Sequence, residues 1–151
     1  MNTYSKVHVK ITNFGFVLNY EVTPANVDDR AALPDIVDKR DRVIIADKGY
    51  ASKELEQRLK EQGKILLALK RKNAKDNFTK ELRQIIFKIR RRIETTFSQL
   101  TFQLNTERVM AKSFYGLKTR LVGKFLAYNI CQYINKINHR PNIFCIKNLF
   151  F

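Results

Sequence analysis

Two acidic residues stand where their types and spacing could do chemistry. Asp47 ends the short apolar run Val43-Ile44-Ile45-Ala46 and is followed by Lys48-Gly49-Tyr50. A carboxylate at the carboxyl end of a buried strand, before a glycine turn and a helix, lies where open α/β sheets place ligands. Asp47 could instead cap the following helix, but Ser52, three residues before Leu55, is the closer cap. Glu94 follows Arg90-Arg91-Arg92-Ile93, and on a helix Arg90 and Arg91 flank it. Such a carboxylate reads either as an ion pair, worth about 0–1 kcal/mol at a surface, or as a metal ligand facing a phosphate. Two carboxylates on separate elements can converge on Mg²⁺, which takes oxygen ligands, keeps several waters and so needs few protein groups. Two such ions roughly 3.5–4 Å apart would activate a water or 3′-hydroxyl and stabilise the leaving oxygen of a phosphodiester. The arginines would neutralise phosphate charge.

The elements that must position this pair follow from periodicity. Leu82, Ile86, Ile89, Ile93, Phe97 and Leu100 recur at three- and four-residue steps, which predicts one long helix over Lys80–Leu104 with a buried stripe. Glu94, one residue past Ile93, is turned about 100° from it, to the rim of that stripe. Val43–Ala46 suits a strand buried on both faces. Ser52–Gln62 reads as a helix ended by Gly63, and Ile65–Leu69 as a second apolar strand. Strand, helix and strand in this length predict a parallel crossover. The second strand runs into Lys70, Arg71 and Lys72, either a solvated charge run or a phosphate contact at the sheet edge that holds Asp47.

Upstream, Lys6–Thr12 and Phe16–Val22 alternate apolar and polar residues around Asn13-Phe14-Gly15, predicting an antiparallel hairpin. His8 shares its register with Lys6 and Lys10 and is expected as an ordinary histidine on the polar face. Asn26 or Asp28 would cap a helix over about Asp29–Lys39, delayed or kinked by Pro34. Asp28 and Asp29 read as cap and dipole partners. Downstream, Asn105–Ser113 is a polar connector carrying Arg108 and Lys112. A second long helix follows over Phe114 to about Ile137, with Leu117, Leu121, Phe125 and Tyr128 inward and Lys118, Arg120 and Lys124 outside. Pro141 breaks it, leaving 141–151 as a tail with exposed apolar character.

Of 151 residues, 44% are hydrophobic, enough for about one domain with a real core. The 29 Lys and Arg against 14 Asp and Glu give a formal charge of +15, which implies a polyanionic partner, nucleic acid more than a membrane surface. No stretch approaches the ~20 apolar residues of a membrane span, and the N-terminus has no apolar signal region. Cys131 and Cys145 lack metal-site spacing and read as reduced packing residues of a cytoplasmic protein. No zinc set, glycine-rich phosphate loop or Ser/His/Asp pattern is evident, and no small-molecule cofactor is expected.

Three motifs in order then reach a family. The hairpin followed by Thr23-Pro24-Ala25-Asn26-Val27-Asp28-Asp29, then Ala46-Asp47-Lys48-Gly49-Tyr50, then Arg91-Arg92-Ile93-Glu94-Thr95-Thr96-Phe97-Ser98-Gln99-Leu100 resembles the DDE transposases of bacterial insertion sequences, nearest the 982-type group. The resemblance implies an α/β, RNase H-like mixed sheet flanked by helices, with long C-terminal helices, over residues 1–140. It implies Mg²⁺ or Mn²⁺ held by acidic residues for DNA strand cleavage and transfer, with Asp47 and Glu94 as catalytic metal ligands. Lys48, Tyr50 and Arg91 would face DNA as motif neighbours, beside the basic candidates Lys70, Arg71, Lys72, Arg90, Arg108 and Lys112. The partners implied are DNA, at the element's ends and at the target, and a transposase dimer near the bacterial nucleoid. The family's first aspartate lies on a strand before the hairpin, where this sequence begins. The expectation is therefore an N-terminally truncated portion, incomplete alone and exposing a sheet edge. The alternative is a non-catalytic DNA-binding or regulatory fragment that associates with full-length transposase. A stand-alone nuclease would need Asp28 or Asp29 as a further ligand, against their capping positions.

Overall fold

The computed structural model describes residues 5–68 and 78–149. Strands β1 (Ser5–Ile11) and β2 (Val17–Pro24) form the antiparallel hairpin, with Val7 opposite Val22 and a shift of register at Lys10/Ile11. Thr12 closes its turn: its hydroxyl accepts from the amides of Phe14 and Phe16 at 3.2 and 3.1 Å. Gly15 adopts φ 84°, the left-handed backbone that glycine supplies without strain.

Helix α1 spans Asp29–Ile36, with Asp28 accepting from the amide of Arg30 as its cap. It starts on time despite Pro34 but stops short of Lys39. Beyond Ile36, the Asp38 carboxylate takes the amide of Arg40, and Asp41 takes that of Asp38, so local side-chain bonds compete with a further helical turn. Strand β3 (Val43–Ala46), helix α2 (Lys53–Glu61) and strand β4 (Ile65–Ala68) make the expected parallel crossover, with Ile44 opposite Leu66. Ser52 caps α2 through the amide of Leu55. Between β3 and α2, Lys48–Tyr50 forms one 3₁₀ turn that Asp47 precedes without a side-chain capping bond. Asp47 therefore keeps its carboxylate for other partners.

The long helices are α3 (Lys80–Leu104), capped by Thr79, and α4 (Phe114–Ile137), capped by Ser113. One core joins Val17 and Val22 of the hairpin to Leu100 of α3 and to Leu121, Phe125 and Tyr128 of α4. A second core joins Leu33, Ala46, Leu55, Leu59, Leu66 and Ala68 around β3, α2 and β4. The residues after Pro141 are not a loose apolar tail. Ile146 is fully buried in the first core, and its amide donates to Gln99 Oε1 at 2.7 Å. Asn135 fastens the approach by donating to the carbonyls of Ile143 and Cys145.

Two expectations change. The strands form two separate two-stranded sheets among the described residues, although the α/β class stands. Strands β1 and β3 face each other across a cleft: Lys10 reaches Asp41, before β3, while His8 reaches Tyr50, after it. The two strands therefore run in opposite directions. The stripe of α3 is also only partly buried: Ile86 and Leu100 are covered, whereas Phe97 is exposed and borders this cleft with Ile89 and Ile93. No helix among the described residues is long and apolar enough to cross a membrane.

Candidate functional site

Asp47 and Glu94 come together through Arg90. From α3, Arg90 Nη2 lies 3.3 Å from Asp47 Oδ1 and 3.9 Å from Glu94 Oε1. Glu94 is the neighbour one helical turn on, whereas Asp47 arrives from the end of β3. Among the described residues, one guanidinium serves the two carboxylates, which leaves one negative charge there without an ion-pair partner. The side chains of Asp47 and Glu94 are 58% and 68% exposed, open to water and to an incoming ligand. Among the described residues, no group of three or more His, Cys, Asp or Glu side chains gathers into a metal-binding set.

A buried polar network holds the turn after Asp47. His8, on the polar face of β1, is buried, 5% exposed, while Lys6 on the same face keeps 41% of its side chain exposed. Its Nδ1 lies 2.6 Å from the Tyr50 hydroxyl and its Nε2 2.9 Å from that of Thr23. A neutral imidazole satisfies both, accepting from one hydroxyl and donating to the other. Burial, partly opposed by nearby Asp29, holds His8 below the ordinary histidine range. The Tyr50 hydroxyl is pushed up to about 12, first by burial and then by the negative charges of Asp29 and Asp47. On the same face, Lys6 donates to Asp29 and Lys10 to Asp41. Gly49 passes close against Asp29: a Cβ there would meet its Oδ2 at 2.8 Å.

The basic residues divide. Lys48 is exposed beside Asp47, and Arg91 borders an open groove of about 940 Å³ along α3. Lys88, Arg92, Glu94, Phe102 and Lys147 share that groove. Arg92 also stacks over the Phe144 ring at 4.1 Å and donates to the carbonyl of Asn13. Arg108 and Lys112 are exposed on the connector and border neither cleft nor groove. Lys70, Arg71 and Lys72 lie outside the described residues.

Sequence reasoning missed His8, Lys88, Phe102 and Lys147. Lys88 carried a signal, since it stands three and four residues before Arg91 and Arg92 and shares their helical face. Lys147 carried none, because only the packing of Ile146 brings it to α3. No curated protein and no solved structure matches the chain. A family model described as the transposase DDE domain matches residues 2–130, most of the chain. With two acidic residues converging beside a basic groove, and with that match, the chain belongs to the transposase DDE domain family.

Proposed function

We propose that the chain serves DNA transposition as the C-terminal portion of an insertion-sequence transposase of the 982 type with an RNase H-like core, Asp47 and Glu94 being its catalytic metal ligands. The observation that carries this reading is their convergence on the single guanidinium of Arg90. The family generally depends on a divalent metal. Both side chains offer hard oxygen donors, are exposed enough to leave Mg²⁺ or Mn²⁺ its waters, and already hold a cation between them.

When bound, the metal supplies activation of a water or 3′-hydroxyl and charge stabilisation at the leaving oxygen. The chain's own residues do the positioning. Arg90 lies between the two carboxylates, and a metal held by them would free its guanidinium for a phosphate oxygen. His8, by engaging Tyr50, fixes the turn that aims Asp47. Lys88, Arg91 and Arg92 draw a DNA backbone along α3 past Glu94, and Lys48 adds charge on the β3 side. A second reading, a DNA-binding fragment that regulates full-length transposase, is favoured by one observation: the α3 groove gathers its charge without Asp47.

Asp47→Asn and Glu94→Gln, each tested for Mn²⁺ binding, nicking of supercoiled DNA and DNA binding, discriminate the two. The catalytic reading expects each change to abolish Mn²⁺ binding and any Mg²⁺-dependent nicking while DNA binding persists. Unchanged Mn²⁺ binding in both variants would remove the pair as ligands and leave the regulatory reading.

A further inference from the structure

Along the outer side of α3, Lys88, Arg91, Thr95, Ser98 and Phe102 recur at three- and four-residue steps and so share one face of the helix. All five line the open groove, and their chemistry changes along it: cations come first, then hydroxyls, then an aromatic ring. Phe102 is 79% exposed, turned away from the core that buries Leu100 of the same helix. A single exposed apolar residue is ordinary on a protein surface. What sets Phe102 apart is its company, since Lys88, Arg91, Arg92 and Lys147 border the same groove against the one carboxylate of Glu94. The cationic wall is also built rather than loose. Arg92 lies over the Phe144 ring and donates to the carbonyl of Asn13, and buried Ile146 holds Lys147 in place.

We propose that this groove takes an unpaired DNA strand, with its phosphates on Lys88, Arg91 and Lys147 and a base stacked on Phe102. The proposal rests on the reading that the α3 groove faces DNA, and it narrows the form of that DNA. A duplex offers a protein its phosphates and base edges, because its base faces are stacked on one another. An exposed benzene ring finds nothing there to lie against. An unpaired strand offers base faces, and a cationic groove with an aromatic platform is the combination that holds single strands. Such stacking is tolerant of sequence, since every base has a π-face.

The dimensions agree. Lys88 and Phe102 lie about 21 Å apart along the axis of α3, at about 1.5 Å per residue. That suits a site at the short end of the roughly 4–16 nucleotides that single-strand sites cover. Glu94 lies between the two, so a strand running from the cations to the ring passes the carboxylate. Phe102 is also a clean place to intervene, because an exposed side chain can be replaced with little effect on packing. The proposal stands whether or not Asp47 and Glu94 cut DNA.

The test compares the affinity of the whole chain for a short oligothymidylate and for a duplex, at one salt concentration, by fluorescence anisotropy. Phe102→Ala should weaken binding of the single strand about tenfold, the scale of one lost base–aromatic stack, and leave duplex binding unchanged. Phe102→Tyr should keep the affinity and Phe102→Leu should lose it, since a ring and not mere apolar surface is required. Tyr115→Ala, at an aromatic residue 82% exposed but outside the groove, should bind both forms as the natural chain does. The chain has no tryptophan, so Phe102→Trp adds a single reporter, whose emission the single strand should quench and the duplex should not. Unchanged single-strand affinity in Phe102→Ala, equal losses for both forms, or full affinity in Phe102→Leu would overturn the proposal. Duplex binding that Lys88→Gln with Arg91→Gln weakens would, in each of those cases, leave the DNA reading standing. Binding of neither form by the natural chain would overturn both.

Discussion

Arg90 Nη2 stands 3.3 Å from Asp47 Oδ1, and the same nitrogen is 3.9 Å from Glu94. Close charge-assisted bonds run about 2.7–2.9 Å, so the guanidinium rests between two acceptors without closing tightly on either. It competes with any cation that the two carboxylates would hold. Arg90→Gln is therefore expected to tighten Mn²⁺ binding several-fold, since the unmatched negative charge doubles. Stability should change by less than about 1 kcal/mol, because the carboxylates are largely exposed. Electron paramagnetic titration of free Mn²⁺ checks this, and weakened binding would show that Arg90 organises the acids.

The α3 groove makes a separate prediction about DNA. Each phosphate neutralised contributes about −0.9 to the slope of log affinity against log salt on duplex DNA. Lys88→Gln with Arg91→Gln should weaken binding to any duplex and make that slope shallower by about two units. Arg92 is left out because it also holds the Asn13 carbonyl and stacks on Phe144. Fluorescence anisotropy at several salt concentrations measures the slope. An unchanged slope would place the phosphate contacts elsewhere.

His8 makes the stability of the fold depend on pH. Its folded value is depressed by burial, so the unfolded chain binds the proton first as pH falls. The contribution of neutral His8 is complete above the ordinary histidine value of about 6.5 and is lost as pH falls through it toward the lower folded value. In urea unfolding, the advantage of the natural chain over His8→Gln should be largest near neutrality and shrink at lower pH. Asp28 and Asp38, lowered without His8, titrate alike in both proteins and cancel, and Glu21 is lowered chiefly by its bond from Lys118 and least by His8. An advantage that grows on acidification would mean that His8 is charged in the fold.

What was legible in the sequence divides along the range of the interactions. Helix caps and turns are local, so Asp28, Ser52 and Gly63 could be read from their neighbours. The 3.6-residue period placed Phe97 on the apolar stripe of α3, but nothing local said that this stretch would border a cleft. Alternation put His8 with Lys6 and Lys10 on one face of β1. The cover on that face comes from Thr23, Asp29, Asp41 and Tyr50, up to 42 residues away. The pairing of Arg90 with Glu94 follows from helical spacing, whereas its approach to Asp47 exists only once β3 and α3 pack together. Two sheets in place of one could not be read either, because alternation specifies a strand's faces and is silent about the neighbour on its edge.

The residues after Pro141 supply the last prediction. Ile146 is fully buried against Leu100, Leu121 and Phe125, and its amide bond to Gln99 ties the segment to α3. Ile146→Ala should therefore cost about 2–5 kcal/mol, the range for truncating a buried aliphatic side chain. Phe102→Ala, at a residue 79% exposed, should change stability by no more than about 0.5 kcal/mol. Chemical denaturation of both variants reads the contrast directly. Similar small losses would show that the segment only lies against the surface. A large loss for Ile146 alone would establish that it closes the core beneath the α3 groove, and with it the position of Lys147 beside Arg91 and Arg92.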